Sequence, residues 1–349
     1  MKVKRYNVVL FLIISFFILI NYLVWSFFTI RVLPQDGTIV GDLARMSYRS
    51  DIIDGRMSID GIENKFFNYS DEHPEIDLIV IGDSFSNGGG GGRYYQDMIA
   101  STYNINVINL QPIGEANPIE TVLVLLQTDE FQEWKPKYIL LQSVERFTVE
   151  RFSTEPNWNI GVNDHRIQSL FSREYISNVP EQFFINIANF KYAVANLLYH
   201  FDDNAYISDA YIVDIKEELF TSASPSKLSF YFGDIDAVGL ASDSSISNLN
   251  NQLNELSRIL EEKGVKLIFM PTVDKLNLYG PYISDNRYPV SSFFEKLREE
   301  DQDYYFLDTK HVLSNALESG VKDVYFSDGT HWSNIGRELV VKELGRVLD

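Results

Sequence analysis

Ile76-Asp77-Leu78-Ile79-Val80-Ile81-Gly82-Asp83-Ser84-Phe85-Ser86-Asn87 runs into five glycines, Gly88 to Gly92. A short apolar run rich in isoleucine and valine, closed by turn residues, reads as a parallel strand buried on both faces. Gly82 lets the backbone turn sharply where the run ends. Ser84 then stands at the carboxyl end of a strand, in the crevice where open α/β sheets bind ligands. The glycines leave the backbone unobstructed, so amide N–H groups can approach an oxyanion. No Gly-Lys-Ser/Thr follows and the G-x-G-x-x-G context is missing, which weakens any nucleotide-binding reading.

The same pattern recurs outward from this stretch. Residues 105–110, 138–144, 265–270 and 304–307 read as further strands. Residues 118–126, 246–263, 291–300, 311–317 and 334–348 have helical character, with Pro118 in a first turn and Gly264 as a stop. This alternation predicts an α/β three-layer sandwich with a central parallel sheet. Residues 150–245 break the rhythm and read as an insertion or lid, carrying one amphipathic helix at 182–201. Residues 34–74 are polar, with Asp36-Gly37, Asp54-Gly55 and Asp60-Gly61 as turn signals.

At the amino terminus, residues 8–30 carry no charge and are interrupted only by Ser15, Asn21, Ser26 and Thr29. About 20 apolar residues cross a bilayer as a helix. Lys2, Lys4 and Arg5 precede the run, so the positive-inside rule predicts a cytoplasmic tail and an extracytoplasmic remainder. A cleaved signal peptide would have a shorter apolar core and a small-residue cleavage site; an uncleaved anchor fits better. The expected organisation is therefore a tail at 1–7, a transmembrane anchor at 8–30, a stalk or wrapping arm at 31–75 and a catalytic domain at 76–349.

A net charge of −19 over 349 residues argues against nucleic acid or an anionic surface as the main partner. With no cysteine there are no disulfides or thiolate metal sites. The histidines lack paired ligand spacing, so neither a metal nor a cofactor is expected.

A serine hydroxyl needs a base, and the base needs a group that holds its tautomer. Of the five histidines (73, 165, 200, 311 and 331), only His331 follows an aspartate by three residues on a tight loop with a helix directly after. Ser84 as nucleophile, His331 as base and Asp328 as orienting acid is the expectation. Asp83, next to the serine, reads as a brace of the turn, and Trp332 as core.

Gly82-Asp83-Ser84-Phe85-Ser86 together with Asp328-Gly329-Thr330-His331-Trp332 resembles the SGNH hydrolase superfamily. Within it the chain is most similar to the membrane-anchored or periplasmic polysaccharide O-acetyltransferases of the alginate-acetylation type. Val144-Glu145-Arg146, and Pro271 followed by Lys275, match softer features of that branch. The Gly-x-Asn-Asp block of the superfamily is absent, and Gln142-Ser143-Val144-Glu145-Arg146 occupies its place. The resemblance implies Gly114 as a second oxyanion donor beside the Ser84 N–H, and Arg146 and Lys275 as substrate-facing charges. It implies a polysaccharide acceptor and a multispanning membrane O-acyltransferase that supplies the acetyl group. Asp202, Asp203, Asp209, Glu217 and Glu218 favour a neutral or amino sugar over an anionic one. Two other functions fit the residues: an acetylesterase that uses water, and a non-catalytic scaffold or polysaccharide-binding subunit in which Ser84 and His331 lie too far apart to hydrogen-bond.

Overall fold

A computed structural model of the chain describes residues 2–30, 40–54, 66–67, 75–86, 94–114, 117–171 and 183–348. The Gly88–Gly92 run, His73, the turn signals at Asp36-Gly37 and Asp60-Gly61, most of the 31–75 arm and part of the 150–245 insertion lie outside the described residues.

The central sheet is parallel throughout. Its strands are β1 (Phe66–Phe67), β2 (Leu78–Ile81), β3 (Val107–Leu110), β4 (Tyr138–Val144), β7 (Lys266–Thr272) and β8 (Tyr305–Phe306), in the order β1-β3-β2-β4-β7-β8. Between β4 and β7 in the chain lies a separate antiparallel pair, β5 (Ala210–Asp214) and β6 (Lys227–Tyr231). β2 and β3 are buried along their whole length, as continuous apolar runs covered by helices on both faces must be. Ile81 pairs with both Leu110 and Leu141, so β2 is flanked on each side. The chain passes from β2 to β3 on one side and returns to β4 on the other. That reversal puts the topological switch point at the carboxyl end of β2, the position that favours a ligand site.

Local chemistry explains the covering helices. Asn117 caps the helix Pro118–Leu125 by accepting from the Glu120 N–H while Glu120 reaches back, with proline in the first turn. Ser242 caps Asp243–Glu261, which buries Leu249, Leu253, Leu256 and Leu260 at helical spacing against the sheet. Ser333 accepts from the Ile335 and Gly336 N–H groups and starts the last helix, Asn334–Leu344.

Two parts carry more structure than the sequence expectations named. Within the 31–75 arm, Phe66–Phe67 adds an edge strand to the sheet, and a short helix, Asp42–Ser47, packs into the body of the protein. Val40, Ala44 and Ile52 join Val24 and Phe28 of the amino-terminal helical stretch in one apolar cluster with Ala188 and Ile212. Residues 40–54 are thus packed rather than a free stalk. Within 150–245, the helix Ile187–Leu198 lies inside the expected 182–201, and the β5–β6 ribbon is additional, its aromatic-rich strands carrying no clean alternation. The apolar stretch Arg5–Thr29 is one helix long and apolar enough to cross a membrane.

Candidate active site

After β2 the chain turns at Gly82, where a Cβ atom would lie 2.2 Å from Ser86 Oγ and 2.5 Å from Gln142 Oε1. Only glycine lets those two side chains close on the backbone. Gln142 Oε1 accepts from the Asp83 N–H (3.0 Å) and from Ser86 Oγ (2.8 Å), while its amide donates to Thr272 Oγ1 (3.1 Å). Asp83 is the brace it was read as. Its carboxylate accepts from the Val144 N–H (2.7 Å), Arg151 Nη1 (2.6 Å) and the Phe85 N–H (3.1 Å), tying the turn to the end of β4. Ser84, between them, is exposed, and its N–H donates no hydrogen bond among the described residues.

The other half of the site comes from the loop before the last helix. An antiparallel bridge between Tyr325 and Trp332 closes the loop at its base. Trp332 is fully buried and packs edge-on against Phe85 and Tyr95, and Phe85 lies 4.6 Å from the His331 ring. This aromatic wedge fixes the imidazole with Nε2 3.0 Å from Ser84 Oγ, across 247 residues of sequence.

At the other ring nitrogen, Nδ1, the neighbour is Thr330 Oγ1 at 3.1 Å. Thr330 donates its hydroxyl proton to Asp42 Oδ2 (2.6 Å), and its N–H reaches Asp42 Oδ1 (2.8 Å). A hydroxyl has one proton, so a Thr330 that donates to Asp42 has only lone pairs to offer His331. Nδ1 must then carry the ring proton, and Nε2 is left bare to accept from the serine. Burial is the largest influence on His331 and lowers its pKa below the ordinary 6.5; Arg146 and Arg337 act the same way, while Asp42, the strongest charge on the ring, opposes them. Burial works to raise the Asp42 pKa, but His331 and the Thr330 hydrogen bonds outweigh it and hold the carboxyl below its usual range.

Asp328, three residues before His331, turns elsewhere. It is fully buried; its Oδ2 accepts from the Gly41 N–H (2.9 Å) and its carbonyl from the Ala44 N–H (3.0 Å). Lys275 Nζ donates to the carbonyls of Phe326 (2.8 Å), Ser327 (3.1 Å) and Gly329 (3.1 Å), drawing the loop around a buried cation whose foremost charge partner is Asp328. Burial pulls the Lys275 ammonium down to about 7. Lys275 is therefore the post on which the loop is wound, which corrects its expected place facing substrate. Arg146 is corrected likewise: it is buried between Asp234 (3.2 Å) and Asp274, and acts on His331 through charge alone. Gly114 follows β3 at the same carboxyl edge of the sheet and is exposed, with nothing within 4 Å of an added Cβ.

Asp42 and Thr330 escape a reading of the sequence. Asp42 lies in a polar stretch with no motif around it, and its partner is 288 residues away. No group of three or more histidine, aspartate or glutamate side chains that could hold a metal ion occurs among the described residues.

Comparison with known proteins adds little. No family model matches the chain, and no curated protein matches it. Among solved structures, a lipase from a goat rumen metagenome, Lip_vut3, aligns over 78% of this chain and 100% of its own, at 11% identity and a TM-score of 0.33. A likeness that weak carries no argument about activity.

Proposed function

We propose that this chain is a membrane-anchored, extracytoplasmic serine O-acyltransferase of the SGNH type that moves an acetyl group to a hydroxyl of a cell-surface or secreted polysaccharide. The observation that carries the reading is the 3.0 Å approach of His331 Nε2 to an exposed Ser84 Oγ at the switch point of a parallel sheet. A scaffold subunit was expected to keep these groups beyond hydrogen-bond reach.

In this mechanism Ser84 Oγ attacks the acyl carbonyl of the donor as its proton passes to His331 Nε2. The carbonyl oxygen, now negative, is held by the Ser84 N–H, with the Gly114 N–H as second donor. When the intermediate collapses, the bond to the donor breaks and the leaving group takes the proton from His331. A sugar hydroxyl then attacks the acetyl-serine, gives its proton to Nε2 and leaves acetylated, and the proton returns to Ser84. The orienting carboxylate is Asp42, acting through Thr330, rather than Asp328. A membrane acyltransferase would supply the acetyl group, a reading supported by a helix at Arg5–Thr29 long and apolar enough to cross a bilayer.

The exposure of Ser84 favours a second reading, in which water resolves the acyl-enzyme and the protein is an acetylesterase. The two separate in one experiment: the full chain in detergent with an activated acetyl ester, with and without neutral and amino-sugar oligosaccharides. Ser84-dependent acetyl-sugar in the mass spectrum supports the transferase, acetate alone supports the esterase, and an enzyme that never acylates Ser84 overturns both.

A further inference from the structure

The helix Ile187–Leu198 is turned inside out for a water-soluble domain. Ile187, Phe190, Val194 and Leu197 form a stripe at helical spacing, continued by Phe201 beyond its end, and each is exposed, from 44% for Phe190 to 75% for Phe201. The opposite face is the buried one, with Ala188, Asn189 and Ala195. That face does not pack on the central sheet. It packs on the amino-terminal apolar stretch, Tyr192 against Phe28 and, just before the helix, Phe184 against Trp25, while Phe190 at the edge of the stripe meets Phe17.

Polar groups lock the pair together. Asn189 Nδ2 donates to Asn21 Oδ1 (2.8 Å), Asn21 Nδ2 donates to the Phe184 carbonyl (2.7 Å), and Thr29 Oγ1 donates to Asn189 Oδ1. Asn21, Thr29 and Asn189 are buried, so these interruptions of the apolar run are spent on one another. Paired amides and hydroxyls of this kind join helices where no water competes. The contacts reach from Phe17 to Thr29, about 18 Å along a helix axis, or roughly half the hydrocarbon thickness of a bilayer.

We infer that the exposed stripe of Ile187–Leu198 is seated among the acyl chains of the leaflet nearest the catalytic body, alongside the anchor. The inference rests on the reading of Arg5–Thr29 as a membrane span. A lipid occupant follows from continuity: Ile13, Ile20 and Leu23 of the anchor are exposed in the same way, and a stripe clamped to that helix shares its depth. The consequence reaches the active site. Tyr199 OH donates to the Ala210 carbonyl of β5 (2.9 Å), and Ser229 of β6 donates to the Ser327 carbonyl in the loop that carries His331. The seated helix therefore sets the height and tilt of the nucleophile above the membrane, where a lipid-borne or membrane-delivered acyl donor would arrive.

The chain has no cysteine, so single nitroxide labels can be placed without background. Labels at Ile187→Cys and Leu197→Cys, with Ile13→Cys on the anchor and Lys263→Cys in the exposed turn after the helix Asp243–Glu261 as references, would be read in full-length protein in phosphatidylcholine vesicles. All four side chains are exposed, so the labels disturb no core. The expected result is that labels 187 and 197 collide with oxygen several-fold more than with a water-soluble nickel chelate, as label 13 does and label 263 does not. Nickel access at 187 and 197 equal to that at 263, with 13 still protected, overturns the inference and leaves the anchor standing. Exclusion of both reagents at 187 and 197 also overturns it, in favour of a protein cover. Nickel access at 13 removes the membrane reading itself.

Discussion

Asp42 reaches His331 through Thr330: carboxylate to hydroxyl is 2.6 Å, hydroxyl to ring nitrogen 3.1 Å. A charge from the amino-terminal arm thereby selects the tautomer of a histidine that belongs to the last loop of the chain. Thr330→Val removes the intermediary and should lower kcat/KM by about 10²-fold, less than the ~10⁴ lost when an acid in direct contact with a catalytic histidine is neutralised. Thr330→Ser keeps the hydroxyl and should stay close to the parent. Asp42→Asn should fall as far as Thr330→Val, and the double variant no further, because the two act as one unit. Steady-state kinetics on the four proteins checks this.

The pH dependence follows from the shifts. A histidine works as a base only when neutral, and the His331 pKa lies below the ordinary 6.5 because burial disfavours the charged ring and two arginines oppose it. Activity should rise with pH through a value under 6.5 and be flat at neutrality. Asp42 is the strongest group favouring the cation, so Asp42→Asn should move the acid limb to still lower pH even as the plateau falls. A limb that moves to higher pH would contradict the placement of that charge.

Ser84→Ala and His331→Ala should each reduce turnover by about 10⁴-fold or more, and together no further, as expected of groups that share one proton. The acetyl adduct should disappear from the intact-protein mass spectrum of Ser84→Ala.

Lys275→Met tests the loop and not the chemistry. It leaves carbonyl oxygens of Phe326, Ser327 and Gly329 facing an apolar side chain, and each buried acceptor without a partner costs about 1–3 kcal/mol. Thermal unfolding should show a loss of several degrees, with activity falling because the loop that holds His331 loosens.

Gly82→Ala would drive a methyl to 2.2 Å from Ser86 Oγ and 2.5 Å from Gln142 Oε1, both already committed to hydrogen bonds. The turn must shift, so activity should fall at least tenfold for a destabilisation of about 1–3 kcal/mol. Activity at the parent level would mean that the turn tolerates more slack than its packing implies.

Much of this was legible beforehand because it is written locally. Apolar runs closed by Gly82 or by Glu145 mark strand ends, and a tight loop before an amphipathic helix marks His331. Direction is what a linear pattern does not carry. Asp-x-x-His spacing permits Asp328 to face the imidazole, yet in the folded loop that carboxylate accepts from the Gly41 N–H and Nδ1 is left to Thr330. Arg146 follows a strand at the active edge of the sheet, yet Asp234 and Asp274 hold it inside. Both outcomes depend on groups that lie far apart in the chain and meet only after folding.

The contact between Gly41 and Asp328 bears on how this protein can be dissected. A Cβ at Gly41 would sit 2.0 Å from the Asp328 carbonyl oxygen, so the arm and the loop touch backbone to backbone. Gly41 and Asp42, ahead of the sheet in the chain, thus form a wall of the candidate site. A fragment begun at residue 75 would keep the whole β2 turn, Ser84 and His331, and would still lack the carboxylate that aligns them. A piece of this chain that keeps the full rate must therefore include Asp42, inside what would ordinarily be trimmed away as a linker.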